Sequence, residues 1–266
     1  MAIFFPFLST LLFKIIPSNT LYPPFTYRKA KRKNLNYFLD ISDYQEWLIY
    51  FDCPVDSSLE VIDYCKPGDV VIDIGANVGQ TVLNMAKKVQ PDGHALGFEP
   101  HPVTFEKLKK NIEMNPAIKN ISIEKCGIGD TEEIKIMHQD FQKNSGGYRI
   151  IQQIEQAKNK TTEITTVTLD SYLENKFPKK KPDLIKIDVE GYEMNVIRGA
   201  DITLKKHKPK LYVEVDNKNL SGHGFSSTQL IAHIEKYDYT IINCNSKNKI
   251  SSVNMPDEGH FDIFCY

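Results

Sequence analysis

The stretch DVVIDIGANVGQ at residues 69–80 decides the fold class of this chain. Its first part, residues 69–74, is a short and almost wholly apolar run, which is typical of a β-strand covered on both faces. A glycine-containing loop follows, in which Gly75 permits a tight turn and Gly79 lets the next helix pack closely. Helical spacing of apolar residues then predicts a helix over residues 78–89. A strand, a glycine loop and a helix in this order bring a ligand to the carboxyl end of the strand.

The same alternation of strand and helix continues along the rest of the chain. Further strands are predicted over residues 94–99, 121–125, 183–189, 210–215, 239–243 and 261–265. Further helices are predicted over residues 102–114, 190–199 and 228–236. Alternation of this kind predicts an α/β fold with a doubly wound, mostly parallel sheet. The short link between the last two strands predicts one antiparallel strand at the edge of that sheet.

Two regions depart from the alternation and define the domain organisation. Residues 131–168 are polar, contain Gly146-Gly147 and include β-rich stretches such as residues 165–168, so we interpret them as an inserted β-rich region. Residues 1–55 precede the alternation, and the helical spacing within residues 40–51 predicts a helical N-terminal extension. Residues 56–266 then form the main domain, which carries the insertion.

Composition narrows the class of protein further. The 266 residues are 41% hydrophobic and 25% charged, as in most globular proteins. With 33 Lys+Arg against 34 Asp+Glu the net charge is −1, so we expect no nucleic-acid partner. The five cysteines include no C-x-x-C pair. This argues against a zinc ribbon or a disulfide framework and favours a reducing, cytoplasmic location.

The N-terminus combines an apolar segment at residues 2–13 with five basic residues within residues 28–33. The apolar segment is shorter than the roughly 20 residues that span a bilayer. It also lacks the basic region and cleavage site of a signal peptide. An apolar segment next to a basic cluster can rest on an anionic membrane surface. Because such patterns are weak evidence, we favour a helix packed on the domain and followed by a solvated basic turn.

Acidic residues at the ends of the first two strands indicate the cofactor. Glu99 ends the second strand, where a carboxylate can accept hydrogen bonds from both hydroxyls of a ribose; capping of the following helix is the alternative. A dinucleotide site needs a glycine where Asn77 stands, and the chain has no P-loop sequence. Asp73 would repel a phosphate but suits a cation. The residues therefore predict S-adenosylmethionine, which carries a sulfonium and an ammonium group.

Six stretches of this chain are similar to one known protein family. They are VVIDIGANVGQT (70–81), GFEPHPVTFEKLKKNI (97–112), CGIGD (126–130), VTLDSYL (167–173), LIKIDVEGYEMNVIRGA (184–200) and LYVEV (211–215). On these motifs the chain resembles, over about residues 55–245, the FkbM family of S-adenosylmethionine-dependent methyltransferases. The resemblance implies a seven-stranded, Rossmann-like class I methyltransferase fold. It also implies methylation of a hydroxyl on a sugar, glycan or related natural product.

The resemblance assigns a set of cofactor-binding residues to this chain. They are Asp73, Gly75, Asn77, Gly79, Glu99, Gly127, Ile128, Asp130 and Asp188. The glycine loop would line the methionine end of the cofactor, and the carboxylate after the second strand would hold the ribose. The three residues after the third strand would flank the adenine. Asp188, at the end of the fourth strand, would face the reactive methyl group.

Methylation of a hydroxyl also requires a way to remove its proton. An aliphatic hydroxyl has a pKa near that of water, about 15.7, so the reaction needs a general base, a metal ion or both. The candidate bases are Asp188, Glu190 and His223. Glycines flank His223, so we interpret its loop as a mobile lid; an exposed loop histidine without a role is the alternative.

A metal site is the second possibility at this end of the sheet. Many members of the family have a histidine at the position of Asp216. Here Asp188, Asp216 and Asn217 supply carboxylate and amide oxygens at the ends of neighbouring strands, a set that suits Mg²⁺ or Mn²⁺. The alternative is a solvated turn after the fifth strand, where Asp-Asn is common.

The expected partner is a small-molecule or glycan acceptor. Specificity on a shared fold resides in added segments, so we expect Tyr44, Trp47 or Tyr148 to flank the acceptor; the helical spacing of Trp47 alternatively predicts a core residue.

Two competing functions remain. N-methylation of an amine or a nucleic acid needs a [DNS]-P-P-[YF] sequence after the fourth strand, where this chain has Asp188-Val-Glu-Gly. The second competing function is that of a non-catalytic module that retains the fold.

Overall fold

The computed structural model describes residues 16–53, 57–139, 144–151, 161–178, 180–256 and 259–266. The predicted N-terminal apolar segment, residues 2–13, lies outside these described residues. The strands are β1 (Tyr27–Arg32), β2 (Leu35–Asp40), β3 (Val70–Ile74), β4 (His94–Phe98), β5 (Ile121–Glu124), β6 (Gly127–Ile128), β7 (Glu133–Gln139), β8 (Tyr148–Ile151), β9 (Thr161–Val167), β10 (Leu184–Ile187), β11 (Lys210–Asp216), β12 (Ile241–Asn243), β13 (Lys249–Ile250) and β14 (His260–Cys265). The α-helices are α1 (Tyr44–Phe51), α2 (Gln80–Lys88), α3 (Pro102–Glu113), α4 (Leu169–Lys176), α5 (Glu193–Arg198), α6 (Asp201–His207), α7 (Asn217–Ser221) and α8 (Ser227–Glu235).

A single large sheet organises the main domain. Its strand order is β13-β12-β14-β11-β10-β3-β4-β5. The five strands from β11 to β5 run parallel, so their carboxyl ends meet at one edge. This confirms the predicted α/β class with a mostly parallel, doubly wound, Rossmann-like sheet.

The apolar runs of the central strands are explained by burial on both faces of this sheet. In β3, Ile72 and Ile74 belong to one hydrophobic cluster, and Val71 belongs to the cluster on the opposite face. In β10, Ile185 and Leu184 are divided between the same two clusters. Successive side chains of a strand point to opposite faces, so a strand covered by helices on both sides needs apolar residues at nearly every position.

The antiparallel part of the sheet differs from the prediction in its position. The last strand, β14, pairs antiparallel with both β11 and β12 and therefore lies inside the sheet. The edge is formed by β13, a strand of two residues that pairs with β12 and raises the number of strands from seven to eight. The sequence did not predict that β14 lies between β11 and β12, because the residues of a strand do not determine which strands it pairs with.

The inserted region forms a second sheet of four strands in the order β6-β9-β7-β8. It begins slightly before the predicted residues 131–168, because β6 pairs with β9 in parallel. The remaining pairs in this sheet are antiparallel. Met137, Ile150 and Ile164 from this sheet pack against Tyr192, which follows β10. The second sheet is thereby attached to the carboxyl end of the first.

The N-terminal extension is not wholly helical, and this prediction was wrong in part. A hairpin of β1 and β2 precedes α1, and its residues Leu35, Tyr37 and Leu39 pack against Val78 and Leu83 of the main domain. Backbone N–H groups on the outer edge of β2 donate to the side chains of Asn111 in α3 and Asn115 just after it, over 2.7 and 2.8 Å. The alternation of apolar and polar residues that marks β2 spans only six residues and was overlooked.

Three further short helices were not predicted: α4, which follows the inserted sheet, and α6 and α7, which precede and follow β11. Within the described part of the chain, no helix combines the length and apolar character needed to cross a membrane. All five cysteines belong to the described residues, and none of them forms a disulfide bond.

Candidate active site

The glycine loop between β3 and α2 forms one wall of a large pocket at the carboxyl edge of the main sheet. Gly75 has a φ of 90°, and a Cβ there would lie 1.9 Å from the carbonyl oxygen of Asp188. Only glycine therefore allows the ends of β3 and β10 to approach so closely. The N–H groups of Gly75 and Ala76 both donate to the carbonyl of Phe98, which holds the loop against β4.

Gly79 differs from Gly75 and Asn77 because it does not line the pocket. It has a φ of 95°, and a Cβ there would lie 2.6 Å from Cδ1 of Leu108 in α3. Its role in this structure is close packing of α2 against α3. Asn77 does line the pocket, and its Oδ1 is buried without a hydrogen-bond partner among the described residues. A buried amide oxygen in that state is an acceptor for a donor group of a bound molecule.

Glu99 connects the loop after β4 to the glycine loop. Its Oε2 accepts from the N–H of Asn77 over 3.0 Å, and its Oε1 accepts from the N–H of His101 over 2.9 Å. Burial raises the pKa of this carboxyl to about 7. It does not cap α3, because His101 occupies the N-cap position. Each carboxylate oxygen retains a lone pair for a further donor, so the geometry fits the hydroxyls of a ribose.

The residues after β5 divide between the pocket and its surroundings. Gly127 and Ile128 line the pocket next to Pro100. Asp130 does not line it: this residue lies beside Gly199, where a Cβ would be 3.4 Å from the Cα of Asp130. The structure therefore does not bring Asp130 to the other predicted adenine contacts.

A buried lysine organises the carboxylates at the centre of the pocket. Nζ of Lys186 lies 2.9 Å from Oδ2 of Asp188 and 3.5 Å from Oδ1 of Asp73. Burial alone would lower the pKa of Lys186, but the charges of Asp188 and Asp73 outweigh burial and raise it above its usual range. Lys186 and Asp188 line the pocket, whereas Asp73 is fully buried behind the lysine. Asp73 thus acts on the pocket through Lys186 and not by direct contact.

Glu190 lies in the sharp turn that follows Asp188. Its φ is 55°, a conformation that non-glycine residues rarely adopt. Its Oε2 accepts from Nδ2 of Asn219 over 2.9 Å and lies 3.8 Å from Nη2 of Arg149. Burial and then the charge of Asp188 raise the pKa of Glu190 to about 8. Glu190 lines the pocket beside Asp188, so two of the three predicted bases are adjacent.

The third predicted base, His223, is not in this pocket. Its ring is buried and packs edge-on against Tyr192, with 5.3 Å between the ring centroids. Burial lowers the pKa of His223 to about 4. It lines a separate cleft together with Asn195 and Phe225. The alternative of an exposed loop histidine is wrong, because the tyrosine side chain covers the histidine. The mobility of this loop stays a prediction.

The predicted metal ligands are likewise not brought together as a set. Asp216 is the N-cap of α7, and its Oδ1 accepts from the N–H groups of Lys218 and Asn219 over 2.8 and 3.0 Å. The Asn217 side chain accepts from the N–H and the hydroxyl of Ser227. Both side chains therefore stabilise local backbone. The described residues also contain no group of three or more His, Cys, Asp or Glu arranged to hold a metal ion.

The sequence analysis did not identify Glu214, an acidic residue of β11 that precedes Asp216. Glu214 lines the pocket, and its Oε1 lies 3.0 Å from Nε2 of His260 in the neighbouring strand β14. Burial, followed by the charge of Asp188, raises the pKa of Glu214, and its contact with His260 raises the pKa of that histidine to about 9. Strand alternation places Glu214 on the same face as Tyr212. This alternation could have identified Glu214 from the sequence, but its partner His260 could not be identified because it depends on the order of strands in the sheet.

Aromatic residues from the added segments form the remaining wall. Tyr44 of α1 and Tyr148 of the inserted sheet line the pocket, and Tyr148 stacks on His101 with ring centroids 3.7 Å apart. Trp47 is buried and its Nε1 donates to the carbonyl of Pro17, so it is a core residue. The insertion approaches α1 directly, since a Cβ at Gly146 would lie 2.9 Å from the Gln45 side chain.

Comparisons with known proteins agree with this architecture. The sequence profile described as "Methyltransferase FkbM domain" matches residues 73–241. Methyltransferase sdnD of Sordaria araneosa is 25% identical over 194 residues, which cover 63% of this chain and 73% of that protein. Hexuronic acid methyltransferase AglP of Haloferax volcanii is 25% identical over 147 residues, or 54% of this chain and 55% of that protein. The 31-O-demethyl-FK506 methyltransferase FkbM of Streptomyces tacrolimicus is 33% identical over 72 residues, 27% of this chain and 26% of that protein.

Proposed function

Because this chain belongs to the FkbM family of S-adenosylmethionine-dependent methyltransferases, we propose that it methylates a hydroxyl of a sugar, glycan or related natural product. The observation that carries the proposal is the position of Asp188, a carboxylate that Lys186 holds in a pocket also lined by Tyr44 and Tyr148. Two relatives are named for a hexuronic acid and for an O-demethyl natural product, which supports acceptors of this class.

The pocket residues fit S-adenosylmethionine. The carboxylate of Glu99 would hold the ribose hydroxyls, and the buried Oδ1 of Asn77 would accept from the ammonium group. Gly127 and Ile128 would provide the wall beside the adenine. When bound, the cofactor supplies an electrophilic methyl group on a positively charged sulfur.

Asp188 is the base that we assign to the acceptor hydroxyl. Lys186 donates to Oδ2 of Asp188, and no hydrogen bond within the described chain engages Oδ1. The lysine thereby orients the carboxylate and leaves one oxygen for the proton of the acceptor. Orientation by a second group is the usual requirement for a general base that acts on a weakly acidic hydroxyl. Glu190, beside it, is the second candidate for this role.

The charge of the pocket favours an acceptor without acidic groups. Its described lining includes the carboxyl groups of Glu99, Asp188, Glu190, Glu214 and Asp262. The only lysine or arginine in that lining is Lys186, which already pairs with two carboxylates. A neutral or amino-bearing polyol can donate to these oxygens, whereas the carboxylate of an anionic sugar would meet no unpaired lysine or arginine in the described lining. We therefore expect this chain to prefer a neutral or amino-bearing acceptor, unlike the relative whose name specifies a hexuronic acid.

A labelled-methyl assay tests the proposal directly. The protein is incubated with methyl-labelled S-adenosylmethionine and matched acceptors: a neutral hexoside, its amino sugar, its hexuronate and an amine that lacks hydroxyls. We expect transfer to oxygen of the neutral or amino sugar, unchanged by a chelator and lost in Asp188→Asn. Transfer to the nitrogen of the simple amine would contradict hydroxyl methylation. Loss of activity in chelator, with recovery in Mg²⁺, would show that a metal assists.

A further inference from the structure

The N-terminal hairpin carries a cluster of exposed cations that the methyl-transfer site does not use. We call Arg28, Lys29, Lys31 and Lys33 the basic edge; all four are exposed on β1 and the turn that follows it. None of them forms an ion pair with a carboxylate of the described chain. The Nζ of Lys87 in α2 donates to the backbone carbonyl of Lys33 over 2.6 Å and adds a fifth cation beside the turn.

Two large apolar side chains accompany the basic edge. Leu21 is 73% exposed and Phe25 is 75% exposed, both immediately before β1. Phe25 has a φ of 64°, a backbone conformation that is strained for a bulky residue. Its N–H donates to Oδ2 of Asp40, and its carbonyl accepts from the N–H of Tyr27. The fold therefore holds an aromatic ring in solvent by means of a conformation that costs energy.

The chain also enters the described structure next to this surface. Ile16 packs with Trp47 of α1, and the indole Nε1 donates to the carbonyl of Pro17 over 3.0 Å. Residue 16, the first described residue, therefore lies beside α1, and the apolar residues 2–13 precede it in the sequence. The same helix borders the hairpin, because the Arg32 side chain donates to the carbonyls of Ile49 and Tyr50.

Protection of a free strand edge is the simplest alternative explanation. β1 pairs only with β2 among the described strands, and lysines on an exposed edge prevent pairing with other chains. This explanation accounts for the charge. It does not account for Leu21 and Phe25, because exposed apolar side chains next to a free edge promote association.

We propose that residues 21–33 bind the surface of an anionic lipid bilayer. The basic edge contacts phosphate headgroups, and Phe25 and Leu21 enter the interface between headgroups and acyl chains. Each lysine or arginine near an anionic surface strengthens binding, and an apolar anchor adds to it. A bilayer fits better than a nucleic acid because the exposed apolar side chains of Leu21 and Phe25 have no role on a phosphate backbone. The net charge of −1 also makes the attraction local to this hairpin.

Vesicle cosedimentation of the full chain tests this inference. The vesicles are phosphatidylcholine alone or phosphatidylcholine mixed with phosphatidylglycerol. We expect binding only to the mixed vesicles, with release at high salt. Lys29→Glu/Lys31→Glu should weaken that binding by about tenfold or more, and Phe25→Ser should weaken it less. Lys205→Glu/Lys206→Glu makes the same charge change on exposed residues of α6 and should leave binding unaltered.

Each contrary result is decisive. Equal binding to both kinds of vesicle, no binding to either, or equal effects of the hairpin and α6 variants would overturn the proposal. Tighter binding to a single-stranded RNA than to the mixed vesicles would assign the hairpin to a nucleic acid instead. Circular dichroism and affinity for S-adenosylmethionine, measured on every variant, separate loss of this surface from loss of the fold.

Discussion

The carboxyl ends of β10 and β11 lie side by side, and the fold uses their acidic residues in opposite ways. After β10, Asp188 faces the pocket and receives a hydrogen bond from Lys186. After β11, Asp216 turns back and caps the helix that starts at the next residue. The difference is set by the distance to the next helix. Glu190 and Gly191, both with positive φ, separate Asp188 from α5, whereas α7 begins directly after Asp216.

This contrast teaches that an acidic residue at the end of a parallel strand is available for chemistry only when it is not needed as a cap. An N-cap carboxylate gains hydrogen bonds from free N–H groups of the first helical turn. A carboxylate separated from the helix by a strained turn has no such donors and can accept from a ligand.

Removal of the charge at each strand end should separate the two sites most strongly. We expect Asp188→Asn to lower the rate of methyl transfer by about 10²–10⁴-fold, the contribution of a general base. Asp216→Asn should leave the rate unchanged, because asparagine caps a helix as well as aspartate does. The measurement is kcat with labelled cofactor and the acceptor found in the panel. Equal losses in the two variants would show that both residues serve the reaction.

Disruption of the charge pair behind Asp188 should have the next largest effect. Lys186→Met leaves Asp73 buried without its cation, so we expect a loss of about 3–5 kcal/mol in the free energy of unfolding. Lys205→Met removes an exposed pair with Asp201 and should cost less than about 1 kcal/mol. Urea unfolding of both variants gives the comparison. A small effect at Lys186 would mean that Asp73 is uncharged in the folded protein.

Cofactor binding allows the same comparison between Glu99, which lines the pocket, and Asp130, which does not. Glu99→Ala should weaken S-adenosylmethionine binding by roughly 1.5–3 kcal/mol, the scale of hydrogen bonds to a charged group. Asp130→Ala should not change it, because Asp130 does not line the pocket. Calorimetric titration of folded variants provides the values. An equal loss for Asp130→Ala would restore its predicted contact with the adenine.

Glu190 should make stability depend on pH. Its pKa is raised from 4.5 to about 8 in the folded protein, so the folded state favours the protonated carboxyl. Its contribution is complete below about pH 4.5 and is lost as the pH rises to about 8, with a slope of at most about 1.4 kcal/mol per pH unit. In Glu190→Gln this loss should disappear. Denaturant unfolding across that range checks it, and parallel curves for variant and wild type would contradict it.

Local sequence patterns predicted much of the fold and part of the candidate site. The apolar runs of β3 and β10 and the helical spacing of α2 depend on neighbours along the chain, so their positions followed from sequence. The positions of Asn77 and Glu99 in the pocket followed as well, because a strand end and a glycine loop bring them there. The hairpin before α1 was missed, since its alternating pattern is short and its burial depends on α2 and α3.

By itself, the sequence determined which segments are strands covered on both faces, where the glycine loop lies, and which residues form the carboxyl edge of the sheet. Those properties follow from periodicity and backbone freedom, which act over a few residues. Three other features became visible only when the chain was folded. β14 lies inside the sheet and brings His260 to Glu214, Tyr192 covers His223, and Asp216 is a cap. Each of these depends on which distant segments meet, and chain-local patterns contain no information about that choice.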